Sequence, residues 1–328
     1  MTVPFILPAL ALAALIAALS MTSAIAQAQP YPLQPVRIIV PFAGGDLADN
    51  VARIVVRKLN ENSTRPFAVE NNPGDDGHFG AELVAKASPD GYTLLFAPIA
   101  DYAAAASLRA RLHYDLLADF TPVTLIADAP QLLVAHPSLP VKSVATLIAL
   151  AKARPGQLGW ASHGKASLSQ LELEMFRGLS GISVNRTPFD DSSAALPALL
   201  VGDAELLFDS LAATLPHIKA GRLRAVAAAG SKRARALPEL PTVAAAGVKG
   251  FASDHWYAML APEGIEMPVV SRLNDDFAKT IGAGDVNERL LSLGFETRRS
   301  TPAELAALMR DDVAKWAKVI KASGINTR

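Results

Sequence analysis

Two short polar loops carry most of the residues that could do chemistry. In Ser162-His163-Gly164-Lys165-Ala166-Ser167, hydroxyls, an imidazole and an ammonium stand among small residues that leave backbone N–H groups open to a ligand. In Phe42-Ala43-Gly44-Gly45-Asp46, glycines set a tight turn. Where such a turn leads into a helix, unpaired N–H groups and the helix dipole attract anions. A glycine turn is equally what any strand-to-helix junction needs, and Asp46 fits a helix cap as well as a ligand contact.

Enzyme motifs come close to these loops without matching. Gly159 to Ala166 reads G-x-x-x-x-G-K-A, a phosphate-binding loop short of the Ser or Thr that holds magnesium, and Leu206-Leu207-Phe208-Asp209 has the apolar run and aspartate of a second nucleotide motif. Ser162 lies one residue too far from Gly159 for the G-x-S-x-G elbow of a hydrolase, and nothing in the sequence brings a His and an Asp to it. A secreted α/β hydrolase using Ser162 is the alternative function. The histidines at 78, 113, 136, 163, 217 and 255 form no local zinc pair, and Asp75-Asp76 in a glycine-flanked loop reads as a solvated turn more readily than as a cation site. No metal and no cofactor is expected.

The elements that must position these loops alternate. Val36 to Val40 is a β-branched run stopped by Pro41; from Asp46 the apolar residues Leu47, Val51, Ile54, Val55 and Leu59 recur at helical spacing. Phe67 to Glu70 and Tyr92 to Ala97 read as strands around a helix from Phe79 to Ala87. Further strands are expected at Gln131 to Ala135, Leu158 to Ala161, Ile182 to Arg186, Glu205 to Asp209, Leu223 to Ala228 and Trp256 to Leu260. Thr301-Pro302-Ala303-Glu304 is a capping box with proline at the first helical position, opening a helix whose apolar face is Leu305, Leu308, Val313, Trp316 and Ile320. Strands interleaved with helices imply parallel β-α-β units. Prolines at 122, 130 and 137 are the one hint of a crossover between two sheets.

Composition narrows the function classes. The 328 residues are 51% hydrophobic, with 31 basic against 31 acidic side chains and 6% aromatics. A neutral chain with few aromatic platforms has little to offer a nucleic acid, and none is expected as a partner. With no cysteine there is no disulfide, thiolate metal site or cysteine nucleophile. Before Arg37 there is no charged side chain; the apolar run from Val3 to Leu19 followed by Ala24-Ile25-Ala26 reads as a cleaved leader over residues 1–26. The mature chain is then expected to be soluble and periplasmic.

Taken together and in order, several segments resemble a known family: the extracytoplasmic substrate-binding receptors of tripartite tricarboxylate transporters, or Bug-type proteins. They include Pro35-Val36-Arg37-Ile38-Ile39-Val40-Pro41-Phe42-Ala43, Pro73-Gly74, Ser88-Pro89-Asp90-Gly91-Tyr92-Thr93-Leu94-Leu95, Arg154-Pro155-Gly156, Ser162 with Gly164, and Leu237-Pro238-Glu239-Leu240-Pro241-Thr242-Val243. The resemblance implies an α/β, two-lobed periplasmic-binding-protein type II fold, each lobe a mainly parallel sheet flanked by helices. Residues 30–127 with 255–328 would form one lobe and 128–254 the other. It further implies a monomer without catalysis that closes on a small carboxylate (a dicarboxylate, tricarboxylate, aromatic acid or acidic amino acid) and delivers it to membrane transporter subunits.

In the family the ligand carboxylate is held mainly by backbone N–H groups and waters. Carried over, those positions are Phe42, Ala43, Gly44 and Gly45, facing Ser162, Gly164 and Ser167; His163, Lys165, Ala166, Thr187 and Asp209 complete the expected rim. The sequence departs from the family pattern at Asp46, where glycine is usual, at Ala166, at Gln170, and at Asp190, where lysine is usual. Asp46 or Asp190 would then meet an ammonium group on the ligand, or, in the alternative, Asp46 caps its helix and Asp190 is solvated.

Overall fold

The computed structural model describes residues 31–109, 111–163, 167–189 and 192–325. The leader read at residues 1–26 lies outside the described residues, as do Gly164, Lys165, Ala166 and Asp190. Among the described residues no helix is long and apolar enough to cross a membrane.

Two sheets are built. Strands β1 (Val36–Val40), β2 (Phe67–Asn71), β3 (Thr93–Pro98) and β4 (Phe120–Asp128) join β10 (Trp256–Pro262) and β11 (Glu296–Thr297) in the order β11-β4-β10-β3-β1-β2. Strands β5 (Gln131–Ala135), β6 (Gly159–His163), β7 (Asn185–Phe189), β8 (Leu206–Ser210) and β9 (Arg224–Ala228) form the second sheet, β7-β6-β8-β5-β9. The chain leaves the first sheet after Asp128, enters the second at Gln131, and returns between Ala228 and Trp256.

The sheets are mixed rather than purely β-α-β. In the first, β10 runs antiparallel between β3 and β4, and β11 is antiparallel to β4. In the second, β5 is antiparallel to both β8 and β9. The remaining strands of each sheet share one direction, β1 pairing parallel with β2 and β3, and β6 with β7 and β8. Of the three reversed strands, β5 and β10 are those with which the chain enters a sheet from the other one.

The sequence reading misses β4, whose interior holds Pro122. The β4–β10 ladder steps from Met259↔Thr124 to Leu260↔Pro122, leaving Val123 as an extra residue. That irregularity sits where proline has no N–H to give, the usual condition for proline inside a sheet. The strand expected at Ile182 to Arg186 starts three residues late. Gly181, left-handed at φ 66°, caps the preceding helix, and Ile182 and Val184 are buried as loop anchors before pairing begins at Asn185.

Ten α-helices flank the sheets among the described residues: α1 (Leu47–Asn60), α2 (His78–Ala85), α3 (Ile99–Leu108), α4 (Val144–Ala153), α5 (Leu168–Ser180), α6 (Ser192–Val201), α7 (Leu211–Lys219), α8 (Met267–Ile281), α9 (Gly284–Ser292) and α10 (Pro302–Ser323). The capping box of α10 forms with both reciprocal bonds, and Leu305, Met309, Trp316 and Ile320 line its buried face. Its core cluster spans both sheets, joining Ile39 and Leu95 of the first to Leu133, Trp160 and Phe208 of the second. Aromatic rings knit the second sheet to its cover, with Trp160 5.3 Å from Phe176 and Phe208 stacked at 5.3 Å on Phe251.

One close approach ties a helix of the second sheet to the loop before β11. Gly294 has φ +84°, and a Cβ added there would lie 2.8 Å from Ala212 Cα in α7. Gly294→Ala therefore meets two penalties of the same sign, the left-handed backbone and the overlap, and is expected to cost about 2 kcal/mol. Urea unfolding reads this directly. An unchanged midpoint would show that the approach is not needed.

Candidate functional site

A cavity of about 720 Å³ opens along one edge of both sheets. Parallel strands end there and their helices begin: Phe42 and Asp46 follow β1, Asp101 lies in the first turn of α3, His163 ends β6, Ser167 caps α5, and Asp209 lies near the end of β8. The reversed strands start at the same edge, bringing Gln131 of β5 and Trp256 and Tyr257 of β10 to the cavity wall. Ligands of open α/β sheets bind at such carboxyl ends.

Asp46 is the N-cap of α1, its Oδ1 accepting from the Ala48 N–H at 2.9 Å, and it borders the cavity as well. Ala43, Gly44 and Gly45 are exposed beside it, outside the cavity lining. Two N–H groups of this turn are already engaged. Gly45 N donates to Asp49 Oδ2 at 2.8 Å and Asp46 N to Ala43 O at 3.2 Å. The buried Asp49 is further held by Arg53 and by the Asn71 amide, so the turn is braced from behind.

On the opposite side His163 and Ser167 border the cavity. The Ser167 hydroxyl donates to His163 O and accepts from Gln170 N at 3.3 Å, closing the loop and capping α5. Ser162 is fully buried, and its hydroxyl accepts from Arg186 Nη1 at 3.4 Å; it is absent from the cavity wall, where an attacking nucleophile would have to be. Thr187 sits in β7 opposite Ala161 and does not border the cavity either.

The charged groups on the wall that the sequence reading did not assign to the site are Asp76 and His255, both set aside there, and Asp101, Arg109 and Glu172. Arg109 is bound to Asp75 at 2.6 Å and Asp76 at 2.7 Å, which answers what that aspartate pair does. Glu172, 1% exposed, accepts from Ser253 Oγ at 2.6 Å and from His255 Nε2 at 2.9 Å. Burial opposes the charge on His255, but the attraction and hydrogen bond of Glu172, with Asp101 behind them, outweigh it and raise its pKa. His78 has the opposite fate: burial first, then Arg109, lower it to about 4, so it is neutral and bonded to the Tyr114 hydroxyl at 2.7 Å. Desolvation inside the cavity raises Asp101, although the residue is exposed, and burial lifts Asp209 to about 6 despite the Ser210 N–H that its Oδ1 accepts at 2.7 Å.

Only Glu172 had a readable signal. Leu168, Leu171 and Met175 are the buried face of α5, and Glu172 falls on that face at helical spacing. Asp101 stands in an alanine-rich helix and His255 before a strand, with no pattern to mark either. No three His, Asp or Glu side chains among the described residues are grouped to hold a metal ion.

Two sheets, two crossovers and a shared cavity between strand ends define a solute-binding receptor. The chain belongs to the Bug-type receptors of tripartite tricarboxylate transporters: residues 51–325 match the model of the tripartite tricarboxylate transporter family receptor. It is 33% identical to Protein BugT of Bordetella pertussis over 298 residues, 90% of this chain and 91% of that one. Among solved structures it is similar to Rpa4515 of R. palustris with adipate, at TM-score 0.79 and 33% identity, covering 90% of this chain and 99% of that one. It is also similar to MatC of Rhodopseudomonas palustris with bound malate, at TM-score 0.74 and 31% identity, covering 88% and 100%. The family and its structural neighbours are binding receptors, not enzymes.

Proposed function

We propose that this protein captures a small organic acid outside the cytoplasm, in the cavity between its two sheets, and hands it to tripartite transporter subunits in the membrane. The observation that carries the reading is the shared wall: Phe42 and Asp46 of one sheet and His163, Ser167 and Asp209 of the other border one space. The adipate and malate of the two similar structures support an acid as the ligand class.

In this reading residues 30–127 with 255–328 form one lobe, residues 128–254 the other, and the monomer closes about the crossovers near Pro130 and Asp254. A ligand touching both lobes only when they are closed shifts the population toward that form. Residues 1–26, the apolar stretch ending at Ala24-Ile25-Ala26, are the leader that takes the chain to the periplasm. Part of the loop expected to hold the carboxylate, Gly164 to Ala166, lies outside the described residues, as does Asp190.

A thermal-shift screen of mono-, di- and tricarboxylates and amino acids tests the proposal. A cognate acid at a hundred times its dissociation constant is expected to stabilise the fold by about 2.7 kcal/mol. If no member moves the melting temperature at millimolar concentration, the cavity is not an acid-binding site.

A further inference from the structure

The cavity of a receptor for acids is here bordered by five carboxylates, Asp46, Asp76, Asp101, Glu172 and Asp209. Two cations on the same wall are engaged, Arg109 by Asp75 and Asp76, and His255 by Glu172. Asp46 is engaged in capping α1. Asp101 and Asp209 form no ion pair among the described residues.

Asp209 makes this more than a cluster of acids. It is 7% exposed and borders the cavity, and its Oδ2 has no hydrogen-bond partner among the described residues. Buried carboxylate oxygens are nearly always bonded, and one left open beside a binding cavity is explained when the ligand brings the missing donor. An aromatic wall stands with it. Tyr257 is fixed by stacking on Phe96 at 5.2 Å with a 10° tilt and by the edge contact with Phe295 at 5.8 Å, and Tyr257 and Phe42 both border the cavity. A ring face held in place attracts a cation through its quadrupole.

We propose that the ligand carries a cationic nitrogen, with Asp101 and Asp209 as its counter-charges and Tyr257 as its aromatic neighbour, so that the solute is an amine-bearing acid rather than a plain one. The proposal rests on the cavity being the ligand site. Desolvation in the cavity, and then Glu172, raise the pKa of both aspartates, Asp209 buried and Asp101 exposed to the cavity, and an ammonium beside them would relieve both effects. A plain dicarboxylate would instead bring further negative charge to the buried Asp209 and the exposed Asp101, whose cationic neighbour His255 is already bound by Glu172.

Calorimetry on the full mature chain separates the readings with matched probes: glutarate with glutamate, and hexanoate with lysine and ε-aminocaproate. At least one amine-bearing member is expected to bind more tightly than its plain counterpart by about tenfold or more, the size of one charge-assisted hydrogen bond. Asp101→Asn and Asp209→Asn, each checked for a cooperative melt, are expected to erase that preference. Plain acids binding as well as or better than their amine-bearing partners would overturn the inference and leave the receptor for acids standing. So would an amine preference that both variants keep. Binding of neither class removes both readings.

Discussion

Replacing Glu172 by alanine is expected to cost about 3 to 5 kcal/mol of folding stability, the range for breaking a buried ion pair from one side. The carboxylate is 1% exposed and accepts from both Ser253 Oγ and His255 Nε2, so its removal leaves a hydroxyl and a half-buried imidazolium without their acceptor. Exposed pairs such as Arg37 with Glu70, worth about 0 to 1 kcal/mol, set the contrast. Glu172→Gln keeps an oxygen at the same place and is expected to fall between the two. The loss depends on pH in a fixed sense. Because the folded state raises the pKa of His255, the stability the pair contributes is complete below the ordinary histidine value of 6.5 and fades as pH rises through the raised one. Urea unfolding of wild type and variant at acid and alkaline pH should therefore show the gap narrowing on the alkaline side. A loss below about 1 kcal/mol at neutral pH would place Glu172 with the surface pairs and refute the argument.

Asp209→Asn is expected to act in the other direction. Burial raises the carboxyl from 3.8 to about 6, so the folded state holds its proton more tightly than the unfolded chain does. The stability this contributes is whole below the unfolded value and disappears as pH climbs through about 6, a change of about 3 kcal/mol. Wild type should lose about that much relative to the variant between acid and neutral pH, leaving the asparagine protein the more stable of the two above about pH 6. Denaturation midpoints over that interval measure it. A wild type that keeps pace with the variant at every pH would mean that the carboxylate is ionised at no cost. A midpoint higher for the amide than for the aspartate would show the cavity wall giving up fold stability, the usual conflict between a prepared site and a stable fold.

Much of this architecture was legible from spacing. The β-branched run at Val36 to Val40, the glycine turn and the helical recurrence from Leu47 are local signals, and the structure places β1 and α1 there. The Thr301 capping box was readable for the same reason: its bonds connect residues three apart. Strand direction was not readable, because β10 is reversed by where the chain returns from, a property of its crossovers rather than of Trp256 to Pro262. The loops at Phe42 to Asp46 and at Ser162 to Ser167 announce themselves by glycine and small polar residues, and Phe42, Asp46, His163 and Ser167 border the cavity. Asp101 and His255 gave no signal because what makes them notable is distant; His255 meets Glu172 across 83 positions of sequence. Serine at 162 drew attention for its hydroxyl, yet the alternation of β6 turns that side chain into the core.

The position of β10 between β3 and β4 governs the order in which the molecule can be assembled. Residues 131 to 228 are contiguous and hold every strand of the second sheet, so that sheet can close as soon as this stretch has emerged. The first half is not: until the chain has emerged as far as Pro262, β3 and β4 each present an open edge to the surroundings, with the finished insert hanging between them. The earliest part of the polypeptide to be made is thus among the last to be sealed, and a chain cut short anywhere before that strand has a sheet without its middle.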